Sequence, residues 1–169
     1  RMYNPDAMPN PVRGVAEVDS MDEQILWMNH AVWAEDINDS LARKIKARYY
    51  GMITHIDQCL GRILDAVEER GDADNTLIVF YSDHGDHLGD HGGWQKESFF
   101  DAACNVPYLV SWPAKIAPKQ LRGEIVCLTD LFGIATAAAG APDLRQGVDV
   151  LGLIAGNAAP RDHLIGMYG

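Results

Sequence analysis

The stretch TLIVFYSDHGDHLGDHGGWQK, residues 76–96, joins a hydrophobic run to a loop rich in carboxylates and imidazoles. Residues 76–81 are β-branched and aromatic without alternation, which is typical of a strand that is buried on both faces of a parallel sheet. Residues 107–112 form a second run of this kind, which Pro113 ends, and residues 124–128 are a third strand candidate. These runs predict a sheet whose first strand leads directly into the polar loop.

Helical patterns flank the predicted strands. The run Asn38-Asp39-Ser40 can cap a helix of about 30 residues, whose apolar side chains recur every three or four positions until Gly71. A small-residue helix is predicted over residues 129–139, ended by Gly140, and a capping-box pattern predicts a short helix over residues 21–34. Helices alternating with strands predict an α/β fold with a mixed, largely parallel sheet flanked by helices.

The length of 169 residues fits one domain. Residues 1–37 are predicted to form an irregular segment and a short helix, and residues 38–169 an α/β half-domain that carries the loop 82–96. The chain opens on Arg1 and closes on an apolar run that is typical of a strand entering a sheet. We therefore expect a partial domain, truncated at both ends.

Composition excludes several classes of protein. The chain has 24 acidic and 14 basic side chains, a net charge of −10, which argues against nucleic acid or an anionic membrane as the main partner. Its longest apolar stretch falls short of the roughly 20 residues that a transmembrane helix needs. Three scattered cysteines are too few for a disulfide framework or a thiolate zinc site, and they leave the cellular compartment open. Whether the protein forms a homo-oligomer is also left open.

The polar loop is a candidate metal site. Asp83 and His84 follow the first predicted strand, at the end of the sheet where α/β proteins bind ligands. A carboxylate beside a neutral imidazole can bind a divalent cation, and Gly85 would allow the sharp turn that points both at one ion. The alternative is a solvated acidic turn. His87 and His91, four residues apart, would form a separate zinc pair on a helix, but the glycines of this loop disfavour a helix there.

Lys96 lies twelve positions after His84. A lone lysine is usually a solvated surface cation. One that follows a metal loop could instead bind an anionic ester oxygen and stabilise its charge. The chemistry of the residue alone favours neither interpretation.

Several spaced motifs together resemble the sulfatase family of the alkaline phosphatase superfamily. In chain order, the matching segments are 49–53, 56–57, 61–64, 75–80, 82–86, 88–92, Lys96, 106–107, 112–113, 129–131, 138–140, 147–149 and 161–162. The resemblance extends over the whole chain and is strongest from residue 49 to residue 113. The Asp-His pair at 83–84 resembles the phosphonate monoester hydrolase and choline-sulfatase branches of the family.

The resemblance implies specific roles. Asp83 and His84 would be two ligands of a single divalent metal, calcium or manganese, and the imidazole shifts the preference from calcium toward manganese, iron or zinc. Lys96 would contact the anionic oxygens and the leaving-group side of the ester. The family's nucleophile is a formylglycine made from a Cys/Ser-x-Pro-x-Arg motif, which this sequence lacks. The nucleophile, the other metal ligands and a catalytic histidine would belong to a missing N-terminal part, so the chain alone is expected to be inactive.

The implied function is hydrolysis of a small anionic sulfate ester, with phosphonate and phosphate esters as further substrates. One alternative is the two-metal phosphodiesterase or mutase branch of the superfamily, in which Asp-His-Gly also occurs. A second alternative is a non-catalytic relative that serves as a scaffold. The upstream sequence would separate the two enzymes, because only the sulfatase branch carries the formylglycine motif.

Overall fold

The structure, a computed structural model, describes residues 2–12 and 37–166. The chain divides into two compact units. The first unit consists of Arg1–Glu69 and Tyr81–Tyr108, and the second of Arg70–Phe80 and Leu109–Gly169. The short helix predicted over residues 21–34 lies outside the described residues.

The first unit is built on one long helix, α1, which spans Asp39–Glu69 and confirms the predicted helix of about 30 residues. The side chain of Asn38 caps it, since its Oδ1 accepts a hydrogen bond of 3.0 Å from the Leu41 amide. Gly71 follows the helix with a positive φ of 74°, the left-handed conformation that commonly ends a helix. Both ends of α1 are therefore where local capping chemistry places them.

The apolar face of α1 is only partly covered by the described residues. Ala42 and Ala47 are buried, whereas Ile53 and Ile56 are 50% and 55% exposed. Close packing onto a neighbour would account for the glycines inside the helix, Gly51 and Gly61, but no described residue packs against them. A Cβ at either position would meet no atom within 4 Å.

Short elements complete the first unit. A 3₁₀ turn at Pro5–Ala7 contacts α1, and residues 2–12 are otherwise irregular, as predicted. The Tyr3 hydroxyl forms a 2.7 Å hydrogen bond with Thr54 Oγ1 of α1. Farther along the chain lie a 3₁₀ turn at Asp90–Gly92 and the one-turn helix α2 at Asp101–Cys104.

Strands β1, Ile78–Tyr81, and β2, Tyr108–Ser111, pair in a two-stranded sheet and confirm two of the three predicted strands. β1 is half-buried, with Tyr81 46% exposed, rather than buried on both faces. The described elements therefore do not bury both faces of β1. The strand predicted over 124–128 is wrong, because the Cys127 amide donates to the Asp130 side chain at 2.8 Å instead of to a neighbouring strand.

Two helices pack together in the second unit. α3 spans Asp130–Ala138 and α4 spans Val150–Ala155. α3 confirms the predicted small-residue helix, and Gly140 beyond it has φ 77°. The buried apolar side chains of this unit are Trp112, Ile134, Val150 and Leu153. The described elements confirm an α/β chain, and none of its described helices is long and apolar enough to cross a membrane.

Candidate active site

Asp83 and His84 lie two and three residues beyond the end of β1, as predicted. The Asp83 Oδ1 accepts a 3.0 Å hydrogen bond from the amide of the next residue, His84. Its other oxygen, Oδ2, lies 3.5 Å from His84 Nε2. Two ligand atoms each about 2.1 Å from one ion lie about 3.0–3.4 Å apart in octahedral or tetrahedral geometry, so this pair of atoms is slightly wider than a shared cation would hold it.

The partners of the His84 ring assign its tautomer. Nδ1 lies 2.7 Å from the carbonyl oxygen of Gly85, which can only accept, so Nδ1 carries the proton. Nε2 lies 2.9 Å from Lys96 Nζ, which can only donate, so Nε2 presents its lone pair. A backbone carbonyl that binds the far ring nitrogen is the usual support of a metal-ligating histidine.

The structure brings Lys96 to His84, which in turn lies beside Asp83. Its ammonium donates to His84 Nε2 across twelve residues of loop. The side chains of Asp83 and His84 are 77% and 39% exposed in the described chain. The three groups therefore form an open cluster of one carboxylate, one neutral imidazole and one ammonium.

Gly85 is required by packing rather than by an unusual backbone angle. Its φ is not positive, so the sharp turn expected at this position is not what demands glycine. A Cβ there would overlap the Ala102 carbonyl oxygen of α2. The Gly85 amide also donates to the Ala103 carbonyl oxygen at 2.8 Å. The absence of a side chain lets α2 lie directly against the metal-ligand candidates.

The alternative zinc pair is not formed. His87 is buried, and its Nε2 bonds to Ser98 Oγ at 2.7 Å. His91 stacks on Phe100, with ring centroids 4.2 Å apart and ring planes 5° from parallel. No α-helix carries the two imidazoles, because His91 itself has a φ of 56°. The left-handed backbone at Gly89 and His91 thus excludes the helical spacing that a zinc pair needs.

A buried ion pair that sequence reasoning missed anchors the loop. Lys46 of α1 is 6% exposed, and its Nζ lies 3.2 Å from Asp90 Oδ1. The same oxygen accepts from the Val12 amide at 2.9 Å, and the Val12 carbonyl oxygen accepts from the His91 amide at 2.8 Å. Tertiary packing buries Lys46 beside Ala42 and Ala47, and a buried cation needs a partner, so the pair depends on contacts that the local pattern does not show.

Burial and nearby charges shift the pKa values of two ionisable groups, Tyr49 and His87. Burial, followed by the negative charges of Asp86 and Asp83, raises the pKa of Tyr49 above its ordinary value, so its hydroxyl stays protonated. Burial lowers the pKa of His87 below its ordinary value. The imidazole of His87 is therefore neutral at physiological pH.

Asp83 and His84 suit a divalent metal in donor chemistry, but they are only two ligands. Within residues 2–12 and 37–166, no group of three or more His, Cys, Asp or Glu side chains is arranged to hold a metal ion. Zinc takes at least three protein ligands, and calcium takes six or more oxygens. The pair fits part of a coordination shell.

Comparisons with a family model and with individual proteins agree on one family. The model of the sulfatase family matches residues 5–141. An arylsulfatase of Clostridium perfringens is 32% identical over 174 residues, covering 99% of this chain and 36% of that protein. A choline-sulfatase of Rhizobium meliloti is 36% identical over 105 residues, covering 59% of this chain and 20% of that protein.

A solved phosphonate monoester hydrolase from Silicibacter pomeroyi superposes with a TM-score of 0.80 at 26% identity. The superposition covers 96% of this chain and 34% of that one. The chain thus spans about a third of the length of the arylsulfatase and of the phosphonate monoester hydrolase. The match of the family model over most of the chain shows that this protein belongs to the sulfatase family.

Proposed function

We propose that this chain carries part of the active site of a metal-dependent hydrolase of sulfate esters. Asp83 and His84 are two ligands of one divalent metal, and Lys96 binds an anionic oxygen of the ester. The observation that carries the proposal is the His84 ring, which is held by the Gly85 carbonyl oxygen and presents Nε2 toward Asp83 Oδ2 and Lys96 Nζ. The metal, when bound, would polarise the ester oxygen and favour attack on the central atom.

Each side chain has a chemical task. Asp83 supplies a negative charge to the cation, and its exposed second oxygen remains available for coordination. His84 enters as a neutral ligand through Nε2, because its proton is held on Nδ1 by the Gly85 carbonyl oxygen. Lys96 donates to the lone pair of His84 Nε2. When that lone pair binds a metal instead, the ammonium is free to neutralise charge on the ester. Mixed oxygen and nitrogen donors favour manganese over calcium.

The remaining groups are proposed to come from a part of the domain that precedes these residues. Two ligands do not complete a metal site, and the sequence holds no Cys/Ser-x-Pro-x-Arg motif from which a formylglycine nucleophile could form. The chain spans only 36% of the arylsulfatase that it matches. The exposed apolar side chains of α1, such as Ile53 and Ile56, are suited to packing against such a part.

Phosphonate monoesters are a second proposed substrate class. The solved relative with a TM-score of 0.80 is a phosphonate monoester hydrolase. Sulfate and phosphonate monoesters both present anionic oxygens around a tetrahedral centre, so an ammonium and a metal can bind either. The identity of the alcohol group is left open.

Metal content and hydrolysis of 4-nitrophenyl sulfate and 4-nitrophenyl phenylphosphonate, measured on the full-length protein, test the proposal. Asp83→Asn and His84→Ala should lower the metal bound per protein and the rate together. His55→Ala is the control, because His55 is an exposed imidazole on α1 whose hydrogen-bond partner among residues 2–12 and 37–166 is Cys59. Unchanged metal stoichiometry in both site variants would contradict the ligand assignment.

Lys96→Met should lower kcat/KM by about 100-fold while the metal stays bound, the usual scale for the loss of one oxyanion-stabilising group. Lys44→Met, on the exposed surface of α1, is the matched control and should have no effect. An unaffected rate in Lys96→Met would remove this residue from the site. A metal-loaded wild-type protein that hydrolyses neither ester would favour a scaffold, and a second metal ion per protein would favour the two-metal branch.

A further inference from the structure

His87 is a buried imidazole in the loop between the metal-ligand candidates and Lys96. It is 1% exposed, although the loop around it consists largely of charged residues and glycines. A polar ring this deeply buried needs hydrogen-bond partners to offset the loss of water. Its single side-chain partner is Ser98 Oγ at 2.7 Å, and Nδ1 has none in the described chain.

The contacts of His87 lie on both sides of Lys96. The His87 amide donates to the carbonyl oxygen of Gln95 at 2.8 Å, one residue before the lysine. The ring binds Ser98 two residues after it. The Ser98 amide in turn donates to the Lys96 carbonyl oxygen at 2.7 Å. One residue, His87, thus holds the backbone on both sides of Lys96, at Gln95 and at Ser98.

Packing keeps the ring of His87 in place. A Cβ at Gly93 would come within 3.0 Å of ring atoms Cγ and Nδ1, so glycine at this position lets the backbone lie against the imidazole. Phe100 contacts the ring edge-to-face, with centroids 5.8 Å apart. Ser98 Oγ also accepts from the Phe100 amide at 3.2 Å, which limits its own rotation.

We propose that His87, acting through Ser98, is a positioning residue that holds the Lys96 ammonium at the active site. The inference rests on the proposed function, since it assumes that Lys96 binds the ester. Lysine has a flexible four-carbon side chain, so its ammonium is placed accurately only if its backbone is rigid. The His87–Ser98 bond supplies that rigidity to the segment whose lysine ammonium lies 2.9 Å from His84 Nε2.

Ser98→Ala tests the proposal because it removes the hydroxyl and leaves the ring packing intact. In the full-length protein, kcat/KM for 4-nitrophenyl sulfate or 4-nitrophenyl phenylphosphonate should fall about 10-fold, since small displacements of a positioned group are costly. Metal content should stay unchanged. Ser98→Thr keeps the hydroxyl and should restore most of the rate. His87→Phe, which keeps an aromatic ring but cannot bond Ser98, should resemble Ser98→Ala.

A double-mutant cycle with Lys96→Met separates positioning from a general structural role. In the Lys96→Met background, Ser98→Ala should change kcat/KM by less than about twofold, because the group that it positions is gone. Equal losses in both backgrounds, or no loss from Ser98→Ala in the wild-type background, would overturn this inference alone. No loss from Lys96→Met itself would overturn the catalytic assignment of Lys96 and this inference with it.

Discussion

Replacement of Arg161 by methionine should destabilise the second unit strongly. Asp130 at the start of α3 is fully buried, and its two oxygens accept four hydrogen bonds. The Cys127 and Val148 amides each donate at 2.8 Å. Arg161 Nη1 and Nη2 donate at 2.8 and 2.6 Å in a bidentate pair. Arg161→Met removes the guanidinium and leaves the carboxylate with only its two backbone donors.

The expected cost follows from burial. The Arg161 side chain is 13% exposed and that of Asp130 0%, so water cannot replace the lost guanidinium. Breaking a buried ion pair from one side costs about 3–5 kcal/mol, because a charge is left buried without a partner. For a chain of this size, that loss corresponds to a decrease in Tm of about 6–20 °C.

Urea and thermal unfolding of the purified protein, followed by circular dichroism, measure this effect. Arg70→Met is the control for an exposed pair, since Arg70 Nε lies 2.9 Å from Asp72 Oδ2 with side chains 77% and 54% exposed. An exposed pair contributes about 0–1 kcal/mol, so this variant should unfold almost like the wild type. Equal losses in the two variants, or a loss below about 1 kcal/mol in Arg161→Met, would refute the assignment of Asp130 and Arg161 as a stabilising buried pair.

Three further outcomes are expected. Although burial alone would raise the pKa of Asp130, its hydrogen bonds from Arg161 and two amides outweigh burial and hold this pKa below the ordinary value of 3.8. Because the pKa is lower in the folded state, the stabilisation from Asp130 is complete above pH 3.8 and is lost as the pH falls through the folded-state pKa. Urea unfolding measured between pH 7 and pH 2 should show this loss of stability. Gly85→Ala should lower Tm, since overpacking against the Ala102 carbonyl costs about 1–3 kcal/mol or more, and an unchanged Tm would contradict the close approach of α2. Gly61→Ala in α1 meets no atom within 4 Å and should instead stabilise the helix by up to about 1 kcal/mol, with a decrease in Tm as the contrary result.

Local patterns predicted the helices and strands that depend on neighbours in sequence. The Asn38 cap and Gly71 placed both ends of α1, and Gly140 marked the end of α3. The prediction failed at residues 124–128, where an apolar run has the composition of a strand. There the backbone bonds to Asp130, a partner that composition does not reveal.

The candidate site was predictable in its residues but not in its contacts. Asp83 and His84 are adjacent and follow a strand, so their proximity was expected from sequence alone. Lys96 could equally have been a solvated cation, and only the path of the loop brings its ammonium to 2.9 Å from His84 Nε2. The His87–Ser98 bond that holds this path was not predicted either.

The sequence by itself determined the α/β class, the extent of α1 and the identity of the polar loop, because capping, periodicity and turn chemistry act over a few residues. Tertiary structure alone decided which distant groups meet. Asp130 meets Arg161 across 31 residues, and Asp90 meets Lys46 across 44. Burial makes such pairs obligatory, since a charge removed from water needs a partner, but the choice of partner depends on how the whole chain packs.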